Sequence, residues 1–293
     1  MHPRKVAAIQ MTSGMHVDEN LRLAEELIGE AAVQGADLIV LPENFAVFAN
    51  PTVRTIGEGE SGPSGVIRTF LSDQAASHSV WIVGGTIPTA DVAGSDAPVA
   101  NGRVRAACFV YDSEGKQVAR YDKIHLFDAV VADNEKSYTE SETIEPGDHV
   151  QVVDTVAGKV GLSVCYDLRF PELFRILFQK GAEILSVPAA FTEVTGAAHW
   201  EVLMRCRAIE NCCYVIGACQ GGVHDSGRQT FGNSMLIDPW GDVIDRLTTG
   251  TGVVSAEIDL ETLYKIRNDM PVDRHMQFTV SDTPVGDRAH ERK

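Results

Sequence analysis

The sequence predicts an α/β protein with mixed sheets. Two observations carry the prediction: apolar, β-rich runs alternate with helical patterns over both halves of the 293 residues, and two hairpin patterns interrupt that rhythm in the middle. The first half reads as a strand over 5–11, a helix over 18–34, a strand over 37–41, a helix over 63–78 and a strand over 80–85. In the first helix Leu21, Ala24, Leu27, Ile28, Ala31 and Ala32 share one face of a 3.6-residue period, Asp18 and Glu19 open it, and Gly35 stops it. Such a helix is expected to lie on a sheet. Residues 104–111 and 116–123 flank Asp112-Ser113-Glu114-Gly115 as a hairpin, and 150–153 with 159–164 flank a second turn at Ala157-Gly158. The rhythm resumes with a helix over 170–179, a strand over 183–187, a helix over 198–210 and a strand over 213–217. Strands over 234–238 and 243–246 flank Pro239-Trp240-Gly241-Asp242, and a strand over 253–258 precedes a short helix over 260–267. Residues 89–102, rich in Ala, Gly, Asp and Pro, read as a mobile insertion. The expected organisation is one domain, 1–272, and a polar C-terminal tail, 273–293.

Composition narrows the function. With 44% hydrophobic and 23% charged residues the chain has the make-up of a soluble globular protein. Its formal charge of −16 repels phosphate backbones and anionic membrane surfaces, so nucleic acid and membrane are not expected partners. The longest apolar runs, such as 80–83 and 184–187, fall far short of the roughly 20 residues that cross a bilayer. The run 6–9 after the basic start is too short for a signal-peptide core, and a cytoplasmic address is expected. Six cysteines contain no CxxC pair and nine histidines no HExxH, so neither a metal site nor a cofactor is expected. The glycine-rich stretch 57–65 lacks a GK[ST] ending and carries two acids, which makes it a loop rather than a phosphate cradle.

Three strand ends carry chemistry. The apolar run Val160-Gly161-Leu162-Ser163-Val164 ends in Cys165, with a helix expected within a few residues. A thiol there sits near the positive end of a helix, and the N–H of Tyr166 can face a developing oxyanion. A buried, inert cysteine fits the same pattern. A second buried run, Leu38 to Leu41, delivers Glu43 to the sheet end where ligands collect; partial desolvation would suit it to general-base work, whereas a lone loop glutamate is simply solvated. In Arg120-Tyr121-Asp122-Lys123-Ile124-His125-Leu126-Phe127 a hairpin arm ends in Lys123. Beside a thiol and a carboxylate, a fixed ammonium stabilises both thiolate and oxyanion. Cys165 is therefore expected to have a lowered pKa, partly counteracted by Glu43, and to be the fastest-alkylated of the six thiols.

With Leu41-Pro42-Glu43, Tyr121 to Phe127 and Val164-Cys165-Tyr166-Asp167-Leu168-Arg169-Phe170-Pro171-Glu172 in this order, the chain resembles the nitrilase superfamily of carbon–nitrogen hydrolases over nearly its whole length. The resemblance implies a Glu43, Lys123, Cys165 triad, with a second glutamate at Glu140. It also implies a four-layer α–β–β–α sandwich with two mixed β-sheets that pairs through helices into a homodimer or larger homo-oligomer. The helices over 170–179 and 198–210 are expected near that contact, because Leu173, Phe174, Leu177 and Phe178 give the first a broad apolar arc.

Residues 188–201 and 205–210, with Gly232-Asn233-Ser234-Met235 and Asp238-Pro239-Trp240-Gly241, are similar to the branch of ω-amidases and deaminated-glutathione amidases. The run Tyr166-Asp167-Leu168-Arg169-Phe170 favours that branch over nitrilases and N-carbamoyl amino acid hydrolases. The implied reaction cleaves the C–N bond of a small carboxylate-bearing amide through a cysteinyl thioester, with Lys123 and the Tyr166 N–H on the oxyanion. Ala46-Val47-Phe48-Ala49 stands where related ω-amidases carry a tyrosine, and His224 and Arg228 resemble the other branch, so deaminated glutathione is expected to be preferred over 2-oxoglutaramate. Arg169 either binds a substrate carboxylate or pairs with Asp167 or Glu172. Phe191 and Thr195 match positions that line the family's acyl pocket. His199, Trp200, Cys206, Cys212, Cys213 and Cys219 read as packing residues. The competing class is a catalytically silent binding protein on the same fold, which the four intact positions argue against.

Overall fold

A computed structural model describes residues 2–94 and 97–283. The chain opens with β1 (Arg4–Gln10), α1 (Val17–Val33), β2 (Leu38–Val40), α2 (Val53–Gly59), α3 (Val66–His78), β3 (Trp81–Val83), β4 (Ile87–Thr89) and the hairpin β5 (Arg105–Tyr111) and β6 (Gln117–Asp122). A short ribbon, β7 (Asp128–Val130) and β8 (Ser137–Thr139), leads to β9 (Val152–Thr155), β10 (Gly158–Leu162), α4 (Pro171–Gln179), β11 (Ile184–Ala189), α5 (Glu193–Asn211) and β12 (Tyr214–Cys219). A second ribbon, β13 (Gly221–Val223) and β14 (Gln229–Phe231), precedes β15 (Ser234–Ile237), β16 (Val243–Leu247), β17 (Gly252–Ile258), α6 (Leu260–Asp269) and α7 (Val272–His275).

Two sheets form the frame. The first runs β17-β1-β2-β3-β5-β4, with β6 also on β5; the second runs β16-β15-β12-β11-β10-β9. Parallel and antiparallel pairs occur in both, as the interrupted rhythm predicts. Strand alternation sorts the layers: Val6 and Ala8 of β1 join the core between the sheets, while Ala7 and Ile9 join the core beneath α1 and α3. The outer face of the second sheet is covered by α4 and α5 through Leu173, Phe174, Leu177, Trp200, Met204 and Ala208. The result is the four-layer α–β–β–α sandwich. Among the described residues no helix is long and apolar enough to cross a membrane.

The structure corrects several details. The helix expected over 198–210 starts at Glu193, where the Thr192 hydroxyl accepts from the Thr195 N–H; Gly196 masks its periodicity, but a side chain there would overlap Phe231. The apolar arc of α4 is not a free surface: Leu173, Phe174, Leu177 and Phe178 are all buried within the chain, beneath Arg207 and Arg267, which lie over Phe174 and Phe178. Exposed apolar side chains lie instead on α5, at Val194, Val202 and Ile209, and at Trp240 nearby. Cys206 is exposed, whereas Cys212, Cys213 and Cys219 are buried as expected, and Cys108 is buried too. In the expected insertion Thr89 ends β4 and Asp91 pairs with Arg120 at 3.0 Å; Ser95 and Asp96 lie outside the described residues. In the expected tail Asp282 pairs with Lys180 at 3.1 Å, and residues 284–293 lie outside the described residues.

Candidate active site

Strand ends from both sheets converge on one buried cluster. Glu43 follows β2 across Leu41-Pro42 and is 4% exposed. Its loop can approach β3 because Gly85 adopts φ 53° against the Pro42 carbonyl, where a side chain would overlap. Gln220 Nε2 donates to the Glu43 carbonyl at 3.1 Å, and the Asn44 N–H donates to Thr86 Oγ1 at 2.8 Å. The next residue after β6 is Lys123, whose ammonium donates to Glu43 Oε1 at 2.7 Å and to both oxygens of Glu140 at 2.8 Å. Glu140 follows β8 and is itself fixed by the Phe127 N–H at 2.6 Å.

Cys165 follows β10 and opens a short 3₁₀ turn, Cys165–Arg169, with φ 47°. A side-chain-bearing residue in the left-handed region is strained, and such strain concentrates where a side chain must be presented. The α-helix begins at Pro171, within one residue of the start read from the sequence, and the 3₁₀ turn separates it from the thiol.

Electrostatics also correct the expected thiol. Burial, then Glu43, push the Cys165 thiol well above the ordinary range, and this outweighs the lowering by Lys123 and by the Ala190 N–H. Burial and the Glu43 carboxylate beside it both favour the protonated thiol. Burial pulls the Lys123 pKa down, but Glu140 and Glu43 outweigh it, raise the pKa well above the ordinary value and keep the ammonium charged. Burial raises the Glu140 carboxyl despite the opposing pull of Lys123.

These groups form the floor of a cavity of about 450 Å³. Its lining includes Glu43, Lys123, Glu140, Cys165, Tyr166, Arg169, Phe191 and Thr195, all eight positions expected from the sequence. Phe191 is held edge-on by buried Trp200, with ring centroids 5.1 Å apart. Tyr166 packs edge-on against Phe127 and Phe170, and Thr195 Oγ1 bonds Thr192 Oγ1 at 2.9 Å.

A Carbon-nitrogen hydrolase family model matches residues 5–268. The chain belongs to the carbon–nitrogen hydrolase family. It is 40% identical over 284 residues to the deaminated glutathione amidase of Yersinia enterocolitica, covering 97% of this chain and 96% of that protein. It is 42% identical over 282 residues to the deaminated glutathione amidase of Synechocystis, covering 95% and 100%. Among solved structures, the C. elegans NitFhit protein superimposes with a TM-score of 0.82 at 34% identity, over 95% of this chain and 66% of that one. Saccharomyces cerevisiae Nit3, of the nitrilase superfamily, gives 0.81 at 30% identity, over 94% and 97%. The resemblance read from three short motifs therefore holds across the fold.

The upper cavity of this carbon–nitrogen hydrolase differs from expectation in two ways. Arg169 does not brace the turn through Asp167 or Glu172; its guanidinium donates to His199 Nδ1 at 3.2 Å and lies over the Phe191 and Tyr166 rings. His199 thus contacts a cavity residue, where the sequence suggests packing. His224 does not line the cavity: it is 4% exposed, stacked on Phe48 at 3.9 Å, with Nδ1 on the Ser13 carbonyl and Nε2 on Thr230 Oγ1. Its two bonds leave no free ring nitrogen for a ligand. Arg228 does line the cavity, between the Phe48 and Tyr138 rings, and its buried Nε has no hydrogen-bond partner among the described residues. Neither Arg169 nor Arg228 forms an ion pair with a described carboxylate. Tyr138, Phe127 and Glu140 all reach the cavity from the β7–β8 ribbon and its flanks, a feature the polar sequence there did not announce.

Proposed function

We propose that the protein is a cysteine-dependent amidase in which Cys165 is the nucleophile, Glu43 the general base and acid, Lys123 the oxyanion cation and Glu140 the group that holds Lys123 in place. The observation that carries this reading is one buried carboxylate, Glu43, that is bonded to the Lys123 ammonium and shares a cavity wall with the Cys165 thiol, whose pKa it helps to raise. As the thiol sulfur attacks the amide carbonyl, its proton passes to Glu43, and the oxyanion gathers between the Lys123 ammonium and the Tyr166 N–H. Collapse of the adduct expels the amine, which takes the proton back from Glu43 and leaves a thioester on Cys165. Glu43 then removes a proton from water as the water attacks the thioester. The second collapse returns the sulfur to Cys165, which recovers that proton, and releases a carboxylic acid. Because Glu43 hands on each proton it receives, no metal is called for in the cycle.

The substrate reading is a small amide that bears carboxylates, with deaminated glutathione preferred over 2-oxoglutaramate. Two observations support it: two cavity arginines have no carboxylate partner among the described residues, and the amidases of Yersinia enterocolitica and Synechocystis carry that substrate in their names. Deaminated glutathione carries one carboxylate on its acyl side and one on its departing dipeptide, matching two guanidiniums. We further read residues 1–272 as one catalytic unit, working in the cytoplasm as a homodimer or larger homo-oligomer. The exposed Val194, Val202 and Ile209 on α5 support the assembly. Acid quenching during turnover of deaminated glutathione, followed by peptide mass spectrometry, is expected to show the acyl mass on the Cys165 peptide. An acyl mass on another residue, or turnover with no acyl mass on the Cys165 peptide, would contradict the scheme.

A further inference from the structure

The ammonium and the thiol that must meet at the oxyanion arrive on different sheets. Lys123 follows β6 of the first sheet and Cys165 follows β10 of the second, so their separation is an inter-sheet distance. One fully buried carboxylate bridges that gap. Asp167 Oδ2 accepts from Tyr121 OH at 2.6 Å and from the Val164 N–H at 2.8 Å. Its Oδ1 accepts from the His125 N–H at 3.1 Å and from His125 Nδ1 at 2.7 Å. Tyr121 and His125 stand two residues before and two residues after Lys123, while Val164 directly precedes Cys165. The bonds therefore grip both sides of the lysine and the entry to the strained cysteine at a single point. His125 is further pinned by stacking on Phe170, at 3.6 Å between ring centroids, and the Phe170 N–H donates to the Asp167 carbonyl.

We propose that Asp167 is a positioning residue that sets the distance between the Lys123 ammonium and the Cys165 thiol. A carboxylate is suited to the task because it only accepts, and all four groups facing it donate. An asparagine would turn its NH₂ toward two donors and let the two segments part. Misplacement of reacting groups by about 1 Å costs about 10²-fold in rate even when binding is intact. The inference rests on the catalytic roles proposed above for Cys165 and Lys123.

The test compares Asp167→Asn and Tyr121→Phe with the parent and with Cys165→Ala, using deaminated glutathione turnover and the rate of Cys165 labelling by iodoacetamide. Asp167→Asn is expected to lose about 10²-fold in kcat with KM within about twofold, and to label more slowly. Should Asp167→Asn not fold, Tyr121→Phe keeps the ring and removes one donor only; its kcat is expected to fall about tenfold with KM unchanged. A merely structural role would lower the melting midpoint and leave kcat per folded molecule and the labelling rate alone. A folded Tyr121→Phe with parental kcat and labelling rate overturns the inference. An active Cys165→Ala would instead bring down the catalytic reading on which it rests, so the two failures are distinct.

Discussion

Lys123 Nζ lies 2.7 Å from Glu43 Oε1, although the two residues are 80 positions apart and both are almost fully buried. With Glu140 on the other side of the ammonium, two carboxyl groups flank one buried cation. Removing one partner from a buried ion pair costs about 3–5 kcal/mol, because a desolvated charge is left behind.

Lys123→Met is therefore expected to abolish turnover and to make stability depend on pH. With the ammonium gone, the Glu140 carboxyl, already raised by burial, loses the charge that opposes that rise and titrates above its value in the unfolded chain. Groups raised in this way give stability that is present at low pH and lost as pH climbs through the folded value. Thermal melts of the variant between pH 5 and about 8 should fall with pH more steeply than those of the parent. Parallel curves would contradict the electrostatic account.

Arg169→Lys is expected to lower kcat/KM for carboxylate-bearing amides by about tenfold or more, and much less for neutral aliphatic amides, because a planar two-pronged donor is replaced by a point charge. Arg228→Gln is expected to penalise deaminated glutathione more than 2-oxoglutaramate, since only the former carries a second carboxylate. A panel of amides with and without terminal carboxylates measures both. Equal turnover of the two acids, or faster turnover of neutral amides, would overturn the substrate reading and leave the amidase chemistry standing.

His224 gives a prediction about acid. Burial lowers its pKa from the ordinary 6.5, against the Ser13 carbonyl bond that raises it, so the folded state holds it neutral. The unfolded chain takes up a proton first as pH falls, so stability is fully present above 6.5 and declines below it. The melting midpoint of His224→Gln is expected to fall less between pH 6.5 and about 5 than that of the parent. An identical acid slope would remove His224 from the account.

Assembly through α5 is expected to place Val202 and Ile209 in a contact with a second copy. Light scattering at micromolar concentration should give at least a dimer, and Val202→Glu should shift it toward monomer. A parental monomer would refute the expectation.

What the sequence revealed followed apolar patterning. Glu43, Lys123 and Cys165 each stand just beyond a strand, so three strand ends could be read together, and the family motifs added Glu140. What escaped notice was short, polar or dependent on tertiary contact. The β7–β8 and β13–β14 ribbons have three residues per strand and exposed, unpatterned sequences, yet they carry or border Tyr138, Glu140 and Arg228. The seven residues of α2 include two glycines and little periodicity. The thiol shifted opposite to expectation because its burial is a property of the folded core, whereas the lysine beside it was visible in a motif. Asp167 looked like a partner for Arg169; only the two-sheet geometry reveals that both its oxygens are already taken.

The central claim is that Cys165 is the attacking group, and turnover by Cys165→Ala tests it most directly. On whichever amide of the panel the parent hydrolyses fastest, the variant is expected to lose on the order of 10⁴-fold or more in kcat while melting within a few degrees of the parent. A folded Cys165→Ala that retains turnover within about tenfold of the parent would contradict the account.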